Sequence, residues 1–190
     1  MKHKISLVSS AMLIAAIAAS PSLAHAQFSI VAGGYVPASN VHQVTSGAQT
    51  IAEQRQGTLS LGANYEFGMF RVSSAYATGT TIQNANRQDI GKGNVLGLAG
   101  DLVIRPLPRL LVQPYVLAGA GKTFYKYDQN TTFTDNTTQS RFAFHGGLGA
   151  DVKLGGVGVM AELTDFLSKD AADKWNVHDA FFMVGLKLGM

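Results

Sequence analysis

Segments in which apolar side chains alternate with small or polar ones recur along the chain, and the clearest of them is the last. In residues 180–190 large apolar side chains recur at every second position, at Phe182, Val184, Leu186, Leu188 and Met190. A period of two places these side chains on one face of a β-strand. Because the outermost strand of an open sheet leaves backbone groups unpaired, a terminal strand of this kind favours a sheet that closes into a barrel.

The same alternation predicts eight antiparallel strands. They are 28–36, 58–67, a third that starts at 70 and ends before 79, 94–104, 110–127, 140–153, 157–166 and 180–190. In the fifth strand, a register slip at Pro114 is considered, and the apolar face is predicted to contain Tyr115, Leu117, Gly119, Tyr125 and Tyr127. The phase of the first strand stays open, because Gly33 and Gly34 interrupt its alternation.

The connections between these strands alternate in length. Long polar segments, of which the first is also compatible with a helix, occupy 37–56, 79–92, 128–139 and 167–178. Short turns occupy 68–69, 105–108 and 154–156. Membrane barrels have short periplasmic turns and longer external loops. The order therefore predicts an all-β, eight-stranded antiparallel up-and-down transmembrane β-barrel with both chain ends on the short-turn side.

Residues 1–26 have the features of a cleavable signal peptide. Lys2 and Lys4 precede an apolar segment at 7–19, which is shorter than the roughly 20 residues that a spanning helix needs. The predicted cleavage site consists of Ala24, Ala26 and Gln27, with the break before Gln27. We expect one mature domain, 27–190, all of which the barrel and its loops use.

The composition agrees with export to a membrane. Charged residues make up 14% of the chain, below the roughly 25% of ordinary soluble domains. There is no cysteine, and no apolar run after residue 26 reaches the length of a spanning helix. No basic patch points to a nucleic acid. A charge-poor exported chain of this kind predicts a β-barrel in the outer membrane of a Gram-negative-type bacterium.

The charged residues within the strands give a second test of the barrel. Apart from Asp165, which lies close to a loop, they fall on the face opposite the apolar one. A charge facing lipid at the bilayer midplane costs about 2–4 kcal/mol, so we expect these charges to pair inside the lumen. The predicted lumen charge network is Glu66, Arg71, Asp101, Lys122, Arg141, Asp151, Glu162 and Lys187. The inverted alternative is a soluble, lipocalin-like barrel with an apolar ligand inside.

Two local patterns carry a family resemblance. Residues 114–121 read Pro-Tyr-Val-Leu-Ala-Gly-Ala-Gly, and Ala161-Glu162-Leu163 precedes the terminal alternating strand. The chain thereby resembles the small outer-membrane β-barrel proteins, including the transmembrane domain of outer membrane protein A. The resemblance implies that the barrel-assembly machinery reads the closing strand, whose last residue in that family is usually aromatic. Met190 departs from that pattern, so we expect assembly with lower efficiency.

No catalytic, cofactor or metal site is predicted. Lipid A-modifying relatives use a serine with a histidine and a carboxylate, but His145 has no serine two residues later. His178 lies near Asp179 and, more loosely, near Ser168 and Asp170, and with His42 these histidines are too scattered for a zinc motif. The enzyme and a narrow or gated channel for small solutes remain alternatives.

The leading hypothesis is a non-enzymatic, monomeric outer-membrane barrel with a lumen plugged by side chains and a structural or surface-interaction role for its loops. The predicted partners are outer-membrane lipids and lipopolysaccharide, with no ligand identified for the loops. Lys169 and Lys174 are candidates for contacts with lipopolysaccharide phosphates. Trp175, Tyr125 and Tyr127 are candidates for an aromatic girdle at the membrane interface.

Overall fold

Ten β-strands make up most of the part of the chain that a computed structural model describes. The residues that the structure describes are 26–37, 42–46, 49–83, 89–107, 110–127, 138–169 and 173–189. The predicted signal peptide, apart from Ala26, and the final residue Met190 lie outside this range. The described residues contain no helix that is long and apolar enough to cross a bilayer.

Eight of the ten strands form a closed antiparallel barrel. The strands are β1 (Ala26–Pro37), β2 (His42–Ser46), β3 (Gln49–Arg55), β4 (Thr58–Phe67), β5 (Phe70–Gln83), β6 (Asp89–Ile104), β7 (Val112–Tyr127), β8 (Thr138–Leu154), β9 (Val157–Lys169) and β10 (Trp175–Leu188). Around the barrel the order is β1, β4, β5, β6, β7, β8, β9 and β10. Pairing of β10 with β1, from Phe28 opposite Leu188 to Pro37 opposite Asp179, completes the circle. The predicted eight-stranded up-and-down barrel is therefore confirmed.

The first long connection has a structure that the sequence interpretation did not foresee. Residues 37–56, read as a polar and helix-compatible loop, contain the antiparallel hairpin of β2 and β3. Gln54 and Arg55 of β3 pair with Gln83 and Ile82 of β5, so the hairpin extends the sheet beyond the barrel wall. Its Val, Thr and Ile residues favour strands.

Several strands extend well beyond their predicted bounds at the long-loop end. β5 and β6 continue to Gln83 and from Asp89, so most of the predicted loop 79–92 is a paired ladder. Likewise β9 reaches Lys169 and β10 begins at Trp175, which reduces the predicted loop 167–178 to a short connection. These extensions are polar or glycine-rich, so hydrophobic alternation could not reveal them.

The outer surface of the barrel is apolar, and the inner surface is largely polar. Leu59 is 78% exposed and Phe182 is 55% exposed, whereas Glu66 and Lys187 are buried. The predicted outward faces of the second, third, fourth, sixth, seventh and eighth strands all have this orientation. In the first strand, whose phase was open, Ser29, Val31 and Tyr35 point inward.

The predicted phase of the fifth strand is wrong. In β7, Tyr115 is 2% exposed, Leu117 is 4% exposed and Tyr125 is 1% exposed, so these side chains fill the interior. Lys122 and Lys126 on the alternate positions are exposed. Pairing with β8 runs without a shift past Pro114, so the considered slip is absent. The inversion arises because a tyrosine is apolar in its ring but brings a hydroxyl that the polar lumen can bind.

At the seam between β1 and β10 the backbones approach closely. A Cβ atom added to Gly33 would collide with the carbonyl oxygen of Phe182 and lie 2.8 Å from the Cα atom of Met183. The neighbouring Gly34 has nothing within 4 Å of the same added atom. Packing therefore requires glycine at position 33 but not at position 34.

This difference predicts a matched pair of stability effects. We expect Gly33→Ala to lower the free energy of unfolding by about 1–3 kcal/mol, because the methyl group must push the two strands apart. Gly34→Ala should change it by less than about 0.5 kcal/mol. Urea titration of the barrel refolded in lipid vesicles, followed by gel mobility without boiling, measures both. Equal effects of the two substitutions would contradict the seam geometry.

Candidate functional site: charged side chains in the barrel lumen

Six charged side chains meet inside the barrel near the short-turn end. We call this cluster the ionic layer; its members are Glu66, Arg71, Arg105, Asp151, Glu162 and Lys187. Three are acidic and three are basic, so the formal charges balance. They come from strands β4, β5, β8, β9 and β10 and from the turn after β6. The short turns place their flanking strand ends at one level, which brings the side chains together.

Arg71 connects one side of the ionic layer. Its Nε and Nη2 atoms donate hydrogen bonds of 3.2 and 3.1 Å to Glu66 Oε2, and its Nη1 atom donates to Glu162 Oε2. Glu66 and Arg71 are direct cross-strand partners across the β4–β5 turn, so the local sequence fixes this contact. The hydroxyl group of Tyr115 donates to Glu162 Oε2 at 2.7 Å. Both carboxylates are thereby held by donors rather than left unpaired.

Arg105 and Lys187 connect the other side. Arg105 Nη1 lies 2.6 Å from Glu66 Oε1, and its Nη2 atom donates at 2.9 Å to Asp151 Oδ2. Lys187 Nζ donates at 3.2 Å to Glu66 Oε2 and at 3.0 Å to Asp151 Oδ2. Burial opposes the charged form of Arg105, but hydrogen bonds and attraction from Glu66 and Asp151 outweigh it and raise its pKa. Arg105 therefore stays charged where its turn meets the lumen.

The ring of Tyr115 lies close to both guanidinium groups of the ionic layer. The central carbon of Arg71 lies 4.9 Å from the centroid of its ring, and that of Arg105 lies 5.2 Å from it. A tyrosine suits this place, because its ring attracts the cations while its hydroxyl group binds a carboxylate. This accounts for the inverted phase of β7 in physical terms.

Above the ionic layer, Asp101 forms a second, smaller cluster. Ser73 Oγ donates to Asp101 Oδ2 at 2.6 Å, and His145 Nδ1 lies 2.7 Å from Asp101 Oδ1. The imidazole of His145 stacks on Phe166 with 4.1 Å between the ring centroids. Ser73 and His145 both contact the carboxylate and not each other in this arrangement. The cluster is thus a satisfied buried carboxylate and not a nucleophile aligned with a base.

A third cluster lies at the long-loop end of the lumen. The hydroxyl groups of Tyr35 and Tyr125 both donate to the buried carboxylate of Asp179, the first at 2.5 Å. The ring of Tyr35 lies 5.0 Å from that of Phe181. Tyr125, predicted as part of an aromatic girdle, therefore lies inside the barrel; the side chain of Tyr127 lies outside the described residues.

The predicted lumen residues do not all come together. Glu66, Arg71, Asp151, Glu162 and Lys187 lie in the ionic layer, and Asp101 lies above it. Lys122 is on the outer face because β7 has the opposite phase. Arg141 is half-buried at the long-loop end, where its Nη1 atom donates to the carbonyl oxygen of Lys169 at 3.4 Å.

Sequence reasoning missed Arg105 as a member of the ionic layer. It lies just after β6 in a turn with two prolines, where strand alternation gives no orientation. The predicted network held four acidic and four basic residues because Lys122 was counted inside the lumen, so the sequence offered no sign of a missing cation. Tyr115 was missed for the related reason that its ring was counted as lipid-facing.

His178, which was considered and not predicted as a catalytic residue, has a partner other than the residues near it in sequence. Ser168 and Asp179 are buried in the lumen, whereas His178 is on the outer face, with Nδ1 2.6 Å from Asp165 Oδ2. The side chain of His42 and all of Asp170 lie outside the described residues. Within the described ranges, no group of three or more His, Asp or Glu side chains could hold a metal ion.

Removing one cation from the ionic layer should be costly. We expect Lys187→Met to lower the free energy of unfolding by about 3–5 kcal/mol, because Glu66 and Asp151 lose a buried counter-charge. Lys122→Met removes the same charge from the outer face near the long loops and should cost no more than about 1 kcal/mol. Urea unfolding of the refolded barrels measures the free energy of unfolding of both variants. Equal losses would contradict the phase of β7.

The fold matches solved membrane barrels of low sequence identity. Neisserial surface protein A is 12% identical over 87% of this chain and 97% of its own, with a TM-score of 0.58. The outer membrane protein OprG from Pseudomonas aeruginosa is 14% identical over 85% of this chain and 94% of its own, with a TM-score of 0.57. Neither a protein-family model nor a curated protein matches the sequence. With its apolar outer surface and charged interior, the chain has the fold of the eight-stranded β-barrels of the outer membrane.

Proposed function

We propose that the protein is a non-enzymatic outer-membrane barrel whose lumen is plugged by side chains and whose long-loop side is its working surface. The observation that carries this proposal is the division of the wall into an apolar exterior and an interior with balanced, paired charges. Such an interior stabilises a closed barrel and leaves its ionic groups satisfied. The role is structural or is exerted through surface contacts.

The filling of the lumen supports a plug. An eight-stranded barrel encloses a space that side chains can fill. Among the described residues, the largest side chains with almost no exposure include Arg71, Tyr35, Tyr115, Phe166 and Phe181, all of which point inward. They lie at successive levels from the short turns to the long loops, with the ionic layer at the lower end. A solute would have to displace several of them to pass.

The alternatives predict other arrangements. A lipocalin-like barrel would turn its apolar face inward around a ligand, whereas Leu59, Leu148 and Leu186 of this barrel point outward. A gated channel needs a mobile ionic layer, and a lipid A hydrolase of the serine type needs a serine beside His178. The outward neighbours of His178 in the described sheet are Leu167 and Asp165.

The proposed partners follow from the same surfaces. Outer-membrane lipids and lipopolysaccharide would cover the apolar exterior, and the barrel-assembly machinery would act on β10, which carries Phe182, Val184, Leu186 and Leu188 outward. A monomer is proposed, because the eight strands close on themselves and leave no open barrel edge for a second chain.

Membrane fractionation with gel electrophoresis tests the barrel as a membrane protein. We expect the full chain in the outer-membrane fraction, with a different mobility before and after boiling, because the closed barrel resists detergent until it is heated. Recovery from the soluble periplasm, with one mobility under both conditions, would refute the proposal.

Planar-bilayer recording tests the plug. We expect no steady conductance from the wild type, and more frequent openings from Arg71→Ala/Lys187→Ala, which removes two large side chains from the ionic layer. Lys122→Ala/Lys126→Ala makes the same change of charge on the outer face and should behave as the wild type. The wild-type trace decides the question even if the lumen variant does not fold, since a stable open pore would establish the channel instead.

A further inference from the structure

The three short turns of the barrel carry large apolar side chains that are exposed. The turn between β4 and β5 lies within Phe-Gly-Met-Phe at 67–70, the turn between β6 and β7 contains Leu110 and Leu111, and β8 ends at Leu154. Leu111 is 66% exposed, Leu154 is 61% exposed and Met69 is 54% exposed. Turns that meet water are usually built from small and polar residues. Apolar side chains at all three turns therefore indicate a cover other than water.

These side chains form an ordered continuation of the lipid-facing wall. We call them the apolar rim; its members are Phe67, Met69, Phe70, Leu107, Leu110, Leu111, Val112, Leu154 and Val157. Backbone hydrogen bonds hold two of the turns against neighbouring strands, because Val103 N donates to Met69 O at 2.8 Å and Lys153 N donates to Leu111 O at 3.2 Å. The apolar rim is thereby fixed at the lower edge of the barrel.

Exposed charge is confined to the other end of the molecule. Among the side chains that the structure describes, the exposed charged ones lie on the long-loop half: Lys92, Lys122, Lys126, Asp173 and Lys174. At the short-turn end, the side chain of Arg105 enters the lumen and is only 15% exposed, and Lys153 is half-buried. Arg109 lies outside the described residues. A surface that faces water would show the reverse arrangement, with its charges outward and its leucines covered.

The height of the apolar wall gives an independent reason for a cover of lipid. Three strands each present five successive outward apolar or small residues, over the ranges 96–104 on β6, 112–120 on β7 and 180–188 on β10. At about 3.3 Å per residue and a tilt of about 40°, five such positions span roughly 20 Å, less than the roughly 25 Å of an outer-membrane apolar band. The next outward residues toward the long loops are polar: Asn94, Lys122 and His178. The missing height therefore has to come from the short-turn end.

We propose that the apolar rim is an interaction surface for the acyl chains of inner-leaflet phospholipids, with Met69, Leu111 and Leu154 on the acyl-chain side of the head groups. Short turns face the periplasm in membrane barrels, which makes the inner leaflet the adjacent lipid. Immersing two further residues at the end of each strand supplies about 5 Å, which is the missing height. The inference rests on the proposed function and adds that the short-turn end is closed to water-soluble partners.

A tryptophan on the apolar rim can report its surroundings, because the chain has a single natural tryptophan, Trp175. In a Trp175→Phe background, Leu111→Trp and Leu154→Trp place the probe on two turns, and Lys92→Trp places the same ring on the long-loop half as the control. Each barrel is refolded in phosphatidylcholine vesicles. Iodide on both sides of the bilayer serves as the aqueous quencher, and phosphatidylcholine with brominated acyl chains serves as the lipid quencher.

The rim probes are expected to lie among acyl chains. Brominated chains should lower the fluorescence of both rim probes at least about twofold, and iodide should quench them at least about fivefold less than the control probe at position 92. The control uses the same aromatic ring, so the preference of tryptophan for membrane interfaces is present in all three variants.

Bilayer thickness provides a second test. Leu111→Ser/Leu154→Ser shortens the apolar surface at the short-turn end. The ratio of folded barrel in dimyristoyl to that in the thinner didecanoyl phosphatidylcholine should therefore fall at least about threefold relative to the wild type. Lys92→Ser/Lys126→Ser changes two exposed side chains on the long-loop half and should keep this ratio within about 1.5-fold of the wild type.

The change of gel mobility on boiling measures the folded barrel in every sample. A wild-type chain without that change would refute the proposed function itself. Folded barrels whose rim probes are open to iodide and unquenched by bromine would overturn only this inference, and would leave the apolar rim free for an apolar periplasmic protein. Equal thickness ratios for the two serine variants would also overturn it. If the rim serine variant folds in neither lipid, the tryptophan probes decide.

Discussion

Pairing of β10 with β1 is the contact on which the rest of the barrel depends. Inside a bilayer no water is available for backbone groups, so a sheet that spans it must close and leave no edge. Closure joins Ala26–Pro37 to Trp175–Leu188 along an unbroken register. It also fixes which side chains face lipid, because successive residues point to opposite faces. The close approach at Gly33 shows how little room this junction leaves for other residues.

Once the wall is closed, its charges must find partners inside. The ionic layer meets this requirement with three acids and three bases drawn from five strands and one turn. Replacing a buried ion pair by apolar groups is often neutral, but removing one partner is costly, so the layer acts as a unit. Tyr115 and Tyr125 point inward on β7 and also bind carboxylates. The hydroxyl group of each donates to a buried carboxylate, while its ring fills space in the lumen.

Most of the barrel could be predicted from sequence because the membrane imposes a strict alternation on it. Leu59, Leu61 and Phe67 needed no further context to be placed outward. Prediction failed where alternation carries no information or conflicting information. Tyr115 is both apolar and polar, Arg105 lies in a turn, and the β2–β3 hairpin lies in a polar connection. Asp165 was recognised as the exception on its strand face, but its small neighbours Gly146 and Ala180 could not be found, because only the register of the three strands brings them together.

The acidic departure from the division into an apolar exterior and a charged interior, at Asp165, is therefore informative. Asp165 is a carboxylate among the lipid-facing positions of the described strands, and its pairing with His178 leaves half of its hydrogen-bonding capacity unused. A purely structural wall would place a large apolar residue there, as the rows on either side do. Small residues flank the carboxylate instead, Gly146 on β8 and Ala180 on β10. The contact with His178, and not the packing of large side chains, therefore accommodates a carboxylate on this part of the outer wall.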